Sequence, residues 1–350
     1  MEKLLFTMFG IEISLTSVAV HVMAFFAVLP LSSLAADDYT APRTQWGQPD
    51  LQGVWNFSSN TPIQRPAIFG EREFLTADEI EEMQLRLAEQ DANSDAAIST
   101  AGVDESYNDF WVEKFGIGGD ERTSLIVYPA NGQLPPLAEG AIAEQGLFAS
   151  TGITGDSRPV RMEIGGIGAD GPEDRGLSER CIIGFNAGPP LRPAVYNNNV
   201  QIIQNKDTAV LLTEMIHEAR IVPLYSSAQD LPLLNDDIRL WTGDSRGYWD
   251  GDTLVVKTRN FNGLSASFHN KGTSYDKVLT ERFARRGPST LDYEYTLDDP
   301  STFTGEFTAI IPMTKVAGQL YEYACHEGNY GMVNILRGAR VQENLPANER

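Results

Sequence analysis

Gly247-Tyr248-Trp249-Asp250-Gly251-Asp252-Thr253-Leu254-Val255-Val256-Lys257-Thr258 is the stretch from which the fold is read. Asp250-Gly251 is a tight-turn dipeptide, since glycine tolerates the positive φ that a two-residue hairpin needs. The run from Thr253 to Thr258 is rich in β-branched residues, which suit a pleated, half-buried surface. The same turn-then-strand grammar extends on both sides. Upstream, Val200–Ile203 and Thr208–Leu212 flank Asn205-Lys206-Asp207, a hairpin signal. The second of these strands is expected to continue through Glu214 and His217 to Val222. Downstream, Val278–Arg285, Thr290–Leu297 and Phe303–Pro312 form a meander, turning at Arg286-Gly287-Pro288-Ser289 and Asp298-Asp299-Pro300. Leu320–Cys325 is expected to be the last strand. Roughly eight to ten short strands about ten residues apart predict a mainly β fold, an antiparallel barrel or sandwich. No parallel strand–helix alternation is visible, which disfavours doubly wound and (β/α)8 architectures.

The N-terminal half reads differently. Lys3 precedes a long apolar stretch, and no charge occurs from Leu15 to Ala36. Ser33-Leu34-Ala35-Ala36 places small residues where a leader is cut, so residues 1–35 read as a secretory signal peptide. Residues 36–180 are expected to be an irregular region wrapping the core, and residues 181–350 the antiparallel β core. Within the irregular region, Gly53-Val54-Trp55 opens a short strand, and Ser124–Tyr128 is another. Thr76 and Glu79 form a capping box ahead of Ile80, Met83 and Leu87, which predicts one short helix. From Gln90 to Ser106 small and polar residues suggest a linker.

Composition removes several functions. The chain carries 48 acidic against 27 basic side chains, a net charge of −21. Such a chain repels nucleic acid unless its basic residues are segregated, and the basic runs go no further than Arg285-Arg286. A carboxylate ligand would have to be recognised locally by arginine. The expected location is the periplasm or the exterior, with no stable membrane insertion once the leader is removed. There Cys181 and Cys325, the two cysteines of the chain, can form a disulfide. A metal or structural thiol pair, or a nucleophilic Cys325 beside His326, are the alternatives.

Two resemblances bear on this. Gly53-Val54-Trp55 resembles the Gly-x-Trp that opens lipocalin and other calycin barrels, which implies a barrel with an internal cavity. Three longer phrases resemble a family of exported bacterial proteins of uncharacterised activity. They are Pro49–Trp55, Gly243–Gly247 with Gly251–Val256, and Tyr321–Tyr330. That resemblance implies export and a shared fold, and it carries over no catalytic residue.

Histidine is scarce, with four in the chain. Alternation along the expected strand puts His217 on the core face and Arg220 on the other. Leu279, Glu281 and Phe283 share an inward face, and a buried Glu281 would need a partner, for which a histidine is one option. His217 and His326 are therefore the acid/base candidates, with Glu281 or Glu327 orienting them. Arg246, Trp249, Asn329 and Tyr330 are candidate substrate contacts, and His269 is a weaker candidate in its loop. Three histidines could also hold a metal, although no metal-binding spacing is present. The expected activity is lyase, isomerase or hydratase chemistry on a small, fairly apolar organic molecule. No cofactor is called for. The competing readings are a carrier of a lipid or aromatic ligand, and a three-histidine metalloenzyme.

Overall fold

The computed structural model describes residues 39–100, 121–141, 162–163, 166–232, 234–269 and 271–346. The expected signal segment lies outside them. The strands are β1 (Gly53–Asn56), β2 (Ile126–Tyr128), β3 (Met162–Glu163), β4 (Gly166–Ile167), β5 (Asn199–Gln204) and β6 (Thr208–Thr213). They continue as β7 (Ala219–Tyr225), β8 (Asp244–Asp250), β9 (Thr253–Arg259), β10 (Val278–Arg285), β11 (Thr290–Asp298) and β12 (Phe307–Val316). The helices are α1 (Ala77–Thr100) and α2 (Tyr330–Glu343).

The sheet runs β1-β5-β6-β7-β8-β9-β10-β11-β12, and β1 pairs with β12 to close it. The result is a nine-strand barrel, with β2 added against β12 and β3–β4 forming a separate ladder. In a closed ring, antiparallel neighbours must alternate in direction, so an odd number of strands cannot close without a parallel contact. That contact is β7–β8. A parallel pair needs a long crossover rather than a hairpin, and Ser226–Gly243 supplies it. The barrel is therefore mixed, where the sequence led us to expect an antiparallel one.

Alternation fills the interior. Leu291, Tyr293, Tyr295 and Leu297 of β11 are buried, as are Leu279, Glu281 and Phe283 of β10 and Phe307, Ala309, Ile311 and Met313 of β12. Phe283 and Tyr293 stack at 5.0 Å between ring centroids, and Tyr293 meets Tyr295 at 5.6 Å. Each such buried ring contributes roughly 1.5–3 kcal/mol.

The capping box at α1 is present. Glu79 N donates to Thr76 Oγ1 at 3.3 Å, and Thr76 N donates to Glu79 Oε2 at 2.8 Å. The helix nevertheless runs on to Thr100, through much of the expected linker. Three further expectations are corrected. Glu214–Glu218 is a turn, because Ile216 and His217 both take positive φ. The turn ends β6 and inverts the alternation, so Arg220 faces inward and His217 is exposed. Leu320–Cys325 forms no strand. Just beyond Gly328 α2 begins, capped by Asn329 Oδ1 accepting from Met332 N at 3.5 Å.

Cys181 and Cys325 form a disulfide with a Cα–Cα distance of 5.8 Å. It ties the C-terminal tail and α2 to the loop that precedes β5. Among the described residues, no helix is long and apolar enough to cross a membrane.

Candidate functional site

Loops before β5 and β8, and between β9 and β10, gather at one end of the barrel. They enclose a cavity of about 320 Å³. Its apolar wall is Phe185, Trp241, Phe261 and Phe268, and its polar groups include Glu179, Arg192, Ser267, His269 and Lys277. The size is at the lower end for small-molecule sites, and the mix of aromatic wall and few polar groups is typical of them.

Lys277 lines the pocket and is only 5% exposed. Its Nζ donates to Pro189 O at 3.2 Å and Ser267 O at 3.3 Å, and sits 4.0 Å from the centroid of the Phe261 ring. Among the described residues no carboxylate lies within ion-pair distance of it. Burial pushes its pKa down to about 7, helped by the positive charges of Arg192 and Arg220, while Asp299 and Glu281 act in the opposite sense. Both carboxylates are already engaged. Asp299 accepts from Ser301 and Thr302, and Glu281 from Arg220 and Tyr293.

Arg192 forms part of the wall. It donates through Nη1 to His269 Nδ1 at 2.6 Å and through Nη2 to Phe185 O. Its guanidinium carbon lies 5.8 Å from the Phe268 ring centroid. An Nδ1 that accepts leaves the His269 proton on Nε2, so the ring is a neutral donor. His269 is exposed, and its ring packs edge-on against Phe268, with centroids 4.5 Å apart. Desolvation and the charges of Arg192 and Lys271 push its pKa down to about 3. Ser267, 2% exposed, has an Oγ with no hydrogen-bond partner among the described residues. Glu179 is neutralised by a two-pronged pair with Arg175, at 3.1 and 3.0 Å.

Beneath the pocket lies a polar chain through the barrel. Leu191 N donates to Tyr293 Oη at 3.0 Å, and Tyr293 Oη donates to Glu281 Oε1 at 2.8 Å. Arg220 donates to both oxygens of the same carboxylate. Burial and the Glu281 charge push the Tyr293 hydroxyl far up, so it stays protonated. The chain fixes the loop Gly188-Pro189-Pro190-Leu191 over the barrel mouth. Gly188 is required there: its φ is +74°, and an added Cβ would meet Pro190 O at 2.3 Å.

The residues expected from sequence are scattered by this arrangement. Glu281 is inside the barrel, partnered by Arg220 and Tyr293 and not by a histidine. His217 sits exposed in the β6–β7 turn, and His326 and Glu327 are exposed in the tail. Arg246 faces outward, bound to Asp244 at 2.8 Å and to Tyr225 Oη at 3.1 Å. Trp249 packs beside the Asp250-Gly251 turn, at the end of the barrel away from the pocket. Asn329 caps α2 and ties the tail to Glu179 O at 3.0 Å, and Tyr330 is 73% exposed. Among the described residues no three His, Cys, Asp or Glu side chains come together as a metal site, so His217, His269 and His326 do not assemble.

Lys277 and Arg192 escaped the sequence reading. The signal for Lys277 was there: it lies two residues before Leu279, in phase with Leu279, Glu281 and Phe283, and so points inward. Compared with known proteins, the chain matches no family model, no curated protein and no solved structure.

Proposed function

We propose that this chain is an exported enzyme that takes a small, fairly apolar organic molecule into the barrel-mouth pocket and moves a proton on it, with Lys277 as the base. The observation that carries this reading is a buried lysine lining an aromatic pocket with, among the described residues, no carboxylate within ion-pair distance. An amine titrating near neutral pH is matched to general-base work. His269 Nε2–H and the Ser267 hydroxyl are donors for an oxygen of the substrate. Lyase, isomerase and hydratase reactions can all use this combination. Export is supported by the uncharged N-terminal stretch, by the Cys181–Cys325 bond and by the phrases shared with exported bacterial proteins.

A carrier is the second reading. It is favoured by the two backbone carbonyls that accept from Lys277, which make the amine a tie between loops. One experiment separates the two. A panel of small organic compounds is incubated with the protein in deuterated buffer at pH 8 and followed by NMR. The enzyme reading expects product, or deuterium at carbon, that disappears in Lys277→Met and in Lys277→Arg. Binding without any exchange or turnover favours the carrier. Turnover that survives both substitutions removes Lys277 as the base.

A further inference from the structure

We infer that the pocket selects an organic carboxylate, held by Arg192, whose apolar body lies on Phe185, Trp241 and Phe268. This rests on the pocket being the ligand site, and it adds the charge class of the ligand. Three observations carry it.

The first is charge without a partner. Arg192 and Lys277 border one cavity, and among the described residues neither has a carboxylate within ion-pair distance. Arg192 is half-buried, and a guanidinium at a cavity wall with no carboxylate beside it favours an anion that completes it. The bordering acid, Glu179, is already occupied by Arg175.

The second is the polarity of the remaining groups. With Nδ1 accepting from Arg192, His269 offers a hydrogen only through Nε2. The Ser267 Oγ is buried and, among the described residues, unpartnered. Arg192, His269, Ser267 and Lys277 therefore all present donors, and a carboxylate accepts several at once.

The third is shape. Arg192 lies against Phe268, and the aromatic side chains cover the rest of the wall, which leaves space for a ring or branched chain and excludes a highly polar body. The net charge of −21 gives no long-range attraction to such a ligand, so recognition has to be local.

The arrangement also links binding to the proposed base. Arg192 is one of the charges that depress Lys277, and a carboxylate on Arg192 would neutralise that influence. The bound acid would make Lys277 more basic.

The test uses the intact chain and titration calorimetry at pH 8 with 3-phenylpropionate, 3-phenylpropanamide and 3-phenylpropanol. The acid is expected to bind at least tenfold tighter than the amide or the alcohol. Its binding should be accompanied by proton uptake, read as a dependence of the heat on the buffer's ionisation enthalpy. Arg192→Gln should remove the preference. Should that variant fold poorly, the three-ligand comparison on the unsubstituted protein decides alone. Equal binding of all three compounds overturns carboxylate selection while leaving the pocket as a ligand site. Failure of the acid to bind also overturns it. If the acid binds preferentially but no compound is ever turned over, carboxylate recognition stands and the catalytic reading falls.

Discussion

Arg220 and Glu281 meet across the barrel interior as a fork, with Nη1 2.6 Å from Oε2 and Nη2 2.8 Å from Oε1. Arg220 is 5% exposed and Glu281 not at all. Burial alone would lower the arginine's pKa, but the facing carboxylate holds it above the ordinary value. Such a pair is weak as a source of net stability, yet removing one partner strands the other charge in the core. Glu281→Gln is therefore expected to cost about 3–5 kcal/mol in urea unfolding. The double substitution Arg220→Met with Glu281→Leu should cost clearly less than the single one. A loss below about 1 kcal/mol for Glu281→Gln would show that the fork is not what closes the interior.

Lys277 gives stability a definite pH dependence. Its pKa is lowered on folding, so between about 7 and the ordinary 10.5 the unfolded chain binds more protons than the folded one. Stability must then rise with pH across that window, and the penalty of the buried charge is fully present below it. The difference in unfolding free energy between the unsubstituted protein and Lys277→Met should move in the native protein's favour by about 3–5 kcal/mol from pH 7 to pH 10. A difference that stays flat would place an ordinary lysine there.

The disulfide closes a loop of 144 residues, and on the chain-entropy model such a bond stabilises by roughly 4–5 kcal/mol. Cys181→Ser with Cys325→Ser should lower the unfolding free energy by up to that amount. Because Cys181 follows Leu177, Ser178 and Glu179 of the pocket wall, ligand binding should also weaken. The barrel closes through β1–β12 pairing without help from the bond, so far-ultraviolet circular dichroism should be unchanged.

Gly188→Ala forces a side chain into the carbonyl of Pro190 at a left-handed position. The loop must shift, carrying Pro189 O away from Lys277 and Leu191 N away from Tyr293. We expect ligand binding to fall at least tenfold while the melting temperature drops only modestly. Gly251→Ala, at a left-handed turn with open space around it, is the control and should leave binding intact.

The barrel was legible in the sequence because its strands alternate strictly and its turns carry turn residues. Asn205-Lys206-Asp207, Asp250-Gly251 and Arg286–Ser289 each sit between paired strands. The inward position of Glu281 was legible for the same reason. Its partner was not. Alternation was carried through Glu214–Glu218, where Ile216 and His217 leave the extended region, and five turn residues reversed the phase. Unbroken alternation would put His217 inside and Arg220 outside. The parallel β7–β8 contact was hidden because a crossover such as Ser226–Gly243 has no periodic signature. The pocket was missed for a related reason. Its walls are loops, where no period marks a side chain's direction, and the one residue that kept the period, Lys277, stood just before the strand's apparent start.

The most direct measurement is the titration of Lys277 itself. Lysines labelled with 13C at Cε are followed by NMR from pH 5 to pH 12, and the resonance is assigned by its loss in Lys277→Arg. A midpoint of about 7 is expected for this residue. A midpoint near the ordinary 10.5 would mean that the amine is charged throughout the working range, and Lys277 could not serve as the base.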